Sequence, residues 1–216
     1  QNYETLIEHL TIAAINGIAK AQHYLSYFYL SQNYQKEAIN YLTLAANQGF
    51  PEAQFELGEC YFYGKYVQHD IKKGIDLIIK AANQNHSQAQ FYIGRMLISG
   101  QFFERNIQEG IKYLIKAANQ INTEALYFLG SFYYEGKYVN QDTNMAITYF
   151  SIAANNNNVN AINMLGTIYY EGKNINKDLG KAIYYFQQAA DQNDAYAQFN
   201  LGSIFLDKNF SKYNIE

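Results

Sequence analysis

Four histidines, one cysteine and a close-set trio of glutamates are the residues of this chain whose types bear on chemistry. His9, His23, His69 and His86 are candidates for proton transfer or metal ligation, and Cys60 for nucleophilic or redox work. Each of those roles needs partners at a defined spacing. No His-Glu-x-x-His, no second cysteine and no nucleophile with a base at usable spacing is present. Glycines at 58, 94, 130, 166 and 202 recur every 36 residues. A phosphate cradle follows a strand, whereas these glycines fall inside helical patterns and read as close helix–helix contacts. The expectation is a protein that is not an enzyme and holds no cofactor and no metal. Glu52, Glu56 and Glu59 remain as an acidic patch suited to a basic or amine-bearing segment.

The period of those glycines belongs to the whole chain. Ala-Ala recurs at 13–14, 45–46, 81–82, 117–118, 153–154 and 189–190, first after 32 residues and then four times after 36. A fixed period of this length marks an array of helical hairpins, each too small to bury its own apolar face. Upstream of the pairs run AQFELGECYFYG from Ala53, AQFYIGRMLISG from Ala89, ALYFLGSFYYEG from Ala125 and AINMLGTIYYEG from Ala161. AQHYLSYFYL from Ala21 precedes them and AQFNLGSIFL from Ala197 follows. Leading directly into the pairs are IDLIIKAA, IKYLIKAA, ITYFSIAA and IYYFQQAA. Each unit therefore predicts two helices, A and then B. The alignment gives units at 1–17 (B only), 18–49, 50–85, 86–121, 122–157, 158–193 and 194–216 (A only), twelve helices in all. Gln1 is not a start Met and neither end reads as a polar cap, so the array is expected to be an excerpt of a longer chain, part of a larger protein or complex.

The columns of this alignment absorb the chemically able residues. His9 stands where other B helices have Tyr41, Tyr113 and Tyr185, and His23 where other A helices have Phe55, Phe91 and Tyr127. Cys60 shares a column with Met96, Phe132, Ile168 and Ile204, which predicts a buried small hydrophobe. His69 precedes a cap and His86 lies in a turn.

Local signals set the helix ends. Asp70, Asn106, Asp142 and Asp178 occupy one column before helix B, and Asn122, Asn158 and Asp194 another before helix A. A short oxygen-bearing side chain there accepts from a first-turn N–H and stabilises the helix by about 1 kcal/mol. Asn106 with Glu109 has capping-box spacing, and Pro51 sits at a first helical position. Gly64, Gly100, Gly136 and Gly172 end helix A. After Ala-Ala, Gly17, Gly49, Asn85, Asn157 and Asn193 suit a left-handed turn, while Ile121 breaks the column and predicts a different turn there. The A–B loop carries Tyr66-Val67, Phe102-Phe103, Tyr138-Val139 or Asn174-Ile175, and the first unit lacks four loop residues.

The pattern A-x-x-x-L-G-x-x-Y-x-x-G, a loop with Val and Asp, then A-I-x-Y-F-x-x-A-A, resembles the Sel-one-like repeat (SLR), a 36-residue relative of the tetratricopeptide repeat. The likeness runs along nearly the whole chain. It departs from the family at Tyr66, Phe102, Tyr138 and Asn174, where a second loop glycine is usual, and at Tyr41, Leu77, Tyr113, Tyr149 and Tyr185, where Trp is frequent. The resemblance implies an all-α, right-handed α/α superhelical solenoid of tetratricopeptide type. It also implies a scaffold or adaptor that binds protein partners.

Composition bounds the partners. At 216 residues and 49% hydrophobic, the chain buries a large core as a layered stack. A net charge of −3 with 16% charged residues supplies no broad basic field, which argues against nucleic acid. No uncharged apolar run reaches the ~20 residues that span a bilayer. One cysteine is compatible with a reducing compartment and favours a cytoplasmic placement. The 24 asparagines read as compositional bias.

Function is then sought in what varies between units. One stripe of helix A changes freely at i, i+4, i+7 spacing: Tyr24 and Tyr27; Glu52, Glu56, Glu59 and Tyr63; Tyr92 and Arg95; Phe128 and Glu135; Met164 and Glu171. By resemblance it faces the concave groove. Rings set among acids suit a protein interface. The leading expectation is a scaffold binding a partner segment there. A structural subunit docked in a large assembly, or a regulatory arm of an enzyme whose catalytic domain lies outside this chain, are the alternatives.

Overall fold

A computed structural model describes residues 2–206, and side chains from residue 5. Among the described residues the chain forms twelve α-helices and no strand. They are α1 (Asn2–Ile15), α2 (Ala19–Ser31), α3 (Gln35–Asn47), α4 (Pro51–Tyr63), α5 (Ile71–Asn83) and α6 (Ser87–Ser99), followed by α7 (Ile107–Ala118), α8 (Thr123–Glu135), α9 (Thr143–Asn155), α10 (Val159–Glu171), α11 (Leu179–Ala190) and α12 (Ala195–Leu206). Even-numbered helices are the A helices and odd-numbered ones the B helices. The chain divides into two compact units, Gln1–Ala117 and Ala118–Glu216.

The Ala-Ala pairs mark where one hairpin packs on the next. Ala45 and Ala46 sit in a core with Leu42, Ala53 and Leu57, and Ala81 and Ala82 in one with Ile78, Ala89 and Ile93. In the second unit Ala189 packs with Phe186, Ala197 and Leu201. Small side chains let the B helix approach the next A helix, and the first alanine also ends the helix. Phe50 N–H donates to Ala45 O at 3.2 Å, His86 to Ala81 at 3.1 Å, Asn158 to Ala153 at 3.0 Å and Asp194 to Ala189 at 3.1 Å. This is a Schellman turn, and it needs a left-handed residue just before the donor. Asn85, Asn157 and Asn193 fill that place at φ 65°, 61° and 64°. Ile121 takes the same conformation, φ 61°, so its turn is not different and its β-branched side chain bears the strain.

Within a hairpin, backbone crowds backbone. A Cβ on Gly58 would lie 2.8 Å from Ile78 Cγ1 and 2.9 Å from Gly74 O, and one on Gly94 would lie 2.9 Å from Gly110 O. In the second unit Ala146 and Ala182 stand for the partner glycines, and the Phe150 and Phe186 rings lie over Gly130 and Gly166. Gly202 differs: among the described residues nothing lies within 4 Å of its Cβ position.

The expected caps form. Asp70, Asn106, Asp142 and Asp178 accept from the N–H groups of Lys73, Glu109, Met145 and Lys181 at 2.9–3.0 Å. Asn122, Asn158 and Asp194 accept from Ala125, Ala161 and Ala197 at 2.7–2.9 Å. The capping box is only half made: Asn106 N–H goes to Leu97 O, and the Glu109 carboxylate pairs with Lys112 at 3.0 Å. The loop from α2 to α3 has three residues where the loop from α4 to α5 has seven, which is the four-residue shortening.

A buried glutamine ladder runs through the first unit. The amides of Gln22, Gln54 and Gln90 donate to Ala14, Ala46 and Ala82 carbonyls at 3.0, 3.2 and 3.3 Å. Gln48 and Gln84 in turn donate to Gln22 and Gln54, both at 2.7 Å. The same column carries buried Leu126 and Ile162 in the second unit.

Candidate partner-binding face

In the first unit the variable stripe is carried by α2, α4 and α6. Glu56 projects from α4 toward α2, where its Oε2 lies 3.0 Å from Nε2 of buried His23. The Tyr27 hydroxyl donates to Glu56 Oε1. On the other side of α4, Tyr92 of α6 donates to Glu59 Oε1 at 2.9 Å. The two inner acids thus tie three A helices together. Burial and the Glu56 bond push the Tyr27 pKa well above the phenol range, and burial with bonding to Tyr63 and Glu59 does the same to Tyr92. Burial also raises Glu59, against the Tyr92 hydrogen bond, which lowers it.

Much of the stripe is nonetheless open to solvent. Tyr24, Tyr27 and Tyr63 are 46%, 50% and 61% exposed. Glu52 is exposed in the first turn of α4, and Lys20 Nζ lies 5.8 Å from the Tyr24 ring centroid. Arg95 is exposed, its guanidinium 5.5 Å from the Phe91 ring centroid. Tyr92 is half-buried. The acidic patch is accordingly not three equivalent carboxylates: Glu52 faces water while Glu56 and Glu59 hold neighbouring helices.

In the second unit Tyr134 of α8 donates to Glu171 Oε2 of α10 at 2.6 Å, and burial and that bond push its pKa up. Glu135 is exposed, while Phe128 and Met164 are half-buried. The Phe128 ring stands edge-on to Tyr127 and Phe132, at 6.1 and 6.3 Å. Sequence columns had left out His23 and Tyr134. Both hold stripe glutamates, and their columns, which also carry Tyr127 and Asn163 or Tyr170, gave no signal that singled them out.

The remaining chemically able residues serve structure. His69 Nε2 donates to Phe62 O at 2.9 Å, a role that Arg105 and Gln141 repeat in their units on Ile98 O and Tyr134 O. His86 Nδ1 caps α6 by accepting from Ala89 N–H at 3.2 Å, and burial lowers its pKa. Cys60 is half-buried against the Leu42–Leu57 core, and burial raises its thiol. His9 does not pack as expected. It is exposed, whereas Tyr41 and Tyr185 of the same column stack on Tyr29 and Tyr169 of the preceding A helices. Among the described residues no three His, Cys, Asp or Glu side chains are placed to hold a metal ion, and no helix is long and apolar enough to cross a membrane.

Tandem helical hairpins joined by left-handed turns, with small residues at every crossing, define an all-α repeat solenoid. The Sel1 repeat matches at 19–50, 51–86, 87–122, 123–158, 159–194 and 195–207, and the chain belongs to the Sel1 repeat family. Proteins of this family are generally protein-interaction scaffolds. A Sel1 repeat protein from Oxalobacter formigenes superposes at TM-score 0.81 with 28% identity, over 92% of this chain and 89% of that one. A protective antigen of uropathogenic Escherichia coli with an SLR fold gives 0.71 and 28%, over 92% of this chain and 51% of that one. A putative sel1-like repeat-containing protein of Acanthamoeba polyphaga mimivirus, L21, is 41% identical over 76 residues, which is 32% of this chain and 13% of that protein.

Proposed function

We propose that this chain is a non-enzymatic adaptor that binds a segment of a partner protein across the variable face of its A helices. The observation that supports this reading is the first unit's set of exposed rings, Tyr24, Tyr27 and Tyr63, beside carboxylates already fixed by neighbouring helices. Rigid amphipathic rings lose little side-chain entropy on binding, and pre-organised acids reduce the ordering cost further. Exposed Glu52 adds an unshared charge for a basic group on the partner. Affinity purification with mass spectrometry identifies the partner. Its affinity is then compared between wild type and a Tyr24→Ala/Tyr63→Ala variant whose fold is verified by circular dichroism. A loss of tenfold or more is expected, and an unchanged affinity overturns the assignment of this face.

A further inference from the structure

The A–B loops keep their length from the second hairpin onward, while their central residues change. Between α6 and α7, Phe102 and Phe103 lie over α5 beside Ile71, Ile75 and Ile79 and leave a recess of about 410 Å³. The Phe102 ring stands edge-on to Phe62 at 5.2 Å. Beside α9, wholly within the second compact unit, the same two columns hold Asn174 and Ile175. Asn174 directs its amide to the Thr143 hydroxyl, 3.5 Å away, and offers no ring. Two bordering columns are smaller as well: Asn144 stands for Lys72 and Gly180 for Gln108. A cleft of about 990 Å³ opens there, bordered by Asn144, Ile175 and Gly180, its apolar lining supplied by Ile147, Tyr169, Ile175, Leu179 and Ile183.

Gly180 is not demanded by packing. Among the described residues a Cβ there would meet only Asp178 Oδ1, at 3.4 Å. Gly180 stands in the first turn of α11, and its missing side chain leaves this side of the cleft open. The rim is cationic and ordered. Lys177 Nζ lies 4.5 Å from the Tyr170 ring centroid and Lys181 Nζ 4.7 Å from that of Tyr169. The one carboxylate in the lining, Asp178, is engaged by the Lys181 backbone N–H at 2.9 Å and its ammonium at 3.7 Å.

We propose that this cleft is a second docking site, which takes an aromatic side chain flanked by acidic residues from a partner protein segment, in the place Phe102 and Phe103 occupy against α5. An apolar floor with a few placed polar groups is what such a pocket requires, and the net positive rim of Lys177 and Lys181 against Asp178 selects the charge of the flanks.

The test is a titration of the ¹⁵N-labelled protein, followed by NMR, with a blocked pentapeptide carrying Phe between pairs of aspartates. One control peptide has Ala for Phe, and a second has lysines for the aspartates. Saturable shifts confined to the 173–178 loop and the first turns of α9 and α11 are expected, at least tenfold weaker with either control. Gly180→Gln restores the side chain found at Gln108 and is expected to abolish binding while the melting temperature stays at or above wild type. Tyr24→Ala/Tyr63→Ala is expected to bind the peptide as wild type does. Absence of saturation at millimolar peptide, shifts centred on the A-helix face, or undiminished binding by Gly180→Gln overturns the proposal.

Discussion

His23 of α2 and Glu56 of α4 meet at 3.0 Å, Nε2 to Oε2, with the imidazole buried and the carboxylate about a quarter exposed. The other oxygen of Glu56 accepts from Tyr27, so one side chain of α4 fixes two of α2. An exposed ion pair contributes about 0–1 kcal/mol, whereas a hydrogen bond to a partly buried charge contributes about 1.5–3. Glu56→Ala is expected to destabilise the fold by about 1–3 kcal/mol, since it leaves a buried ring nitrogen without its partner. Glu56→Gln keeps an acceptor in place and is expected to cost less than half as much. Urea denaturation measures both, and two variants as stable as wild type would show that the contact contributes nothing.

Gly74 and Gly202 are expected to respond to the same substitution with opposite signs. A Cβ on Gly74 would lie 2.8 Å from both Gly58 O and Phe62 N, backbone atoms that move only if two helices separate. Gly74→Ala is expected to cost about 2–3 kcal/mol. Among the described residues nothing lies within 4 Å of a Cβ on Gly202, so Gly202→Ala is expected to gain up to about 1 kcal/mol of helix propensity. Thermal melts distinguish them, and a shared sign would contradict the packing described.

Ile121 holds φ 61° with its side chain 54% exposed. A left-handed residue with a Cβ costs roughly 1–2 kcal/mol, least for asparagine. Ile121→Asn is expected to stabilise by about 1 kcal/mol, because little buried surface is lost. Asn157→Ile, the reverse change at φ 61° in the next unit, is expected to destabilise by a similar amount. Chemical denaturation of the two variants is the check, and a less stable Ile121→Asn would contradict the strain.

Periodicity made the helices, their caps and the glycine contacts legible, because those depend on residues three to five apart or on one column repeated. The parts that were not legible depend on reach. Glu56 finds His23 across 33 residues, and its carboxylate turns inward because Tyr27 and His23 offer donors there. The ladder from Gln22 through Gln54 needs a long amide spanning to a carbonyl eight residues back, which is no helical spacing. His86 was visible in the cap column beside Asn122 and Asn158, yet an imidazole is seldom read as a cap. Ile121 was read by its side chain, whereas the backbone hydrogen bonds of the turn set its φ.

Three tyrosines make the fold sensitive to alkali. Tyr27, Tyr92 and Tyr134 donate to Glu56, Glu59 and Glu171, and burial first, then those bonds (for Tyr92 after its bond with Tyr63), hold their pKa values well above the usual phenol value. A group whose pKa is higher folded than unfolded contributes stability that is whole below the unfolded value, about 10 for tyrosine. Above it the unfolded chain sheds protons that the native state retains, and the contribution is lost. Stability is therefore expected to hold from neutral pH to about pH 9 and to fall steeply beyond about 10. Tyr92→Phe is expected to lower stability at neutral pH, through the lost bond to Glu59, and to soften the alkaline decline. Denaturant midpoints across pH measure the decline, and ultraviolet absorbance follows phenol ionisation. If all the tyrosines of the folded protein ionise together near pH 10, the pairing of these hydroxyls with carboxylates is wrong.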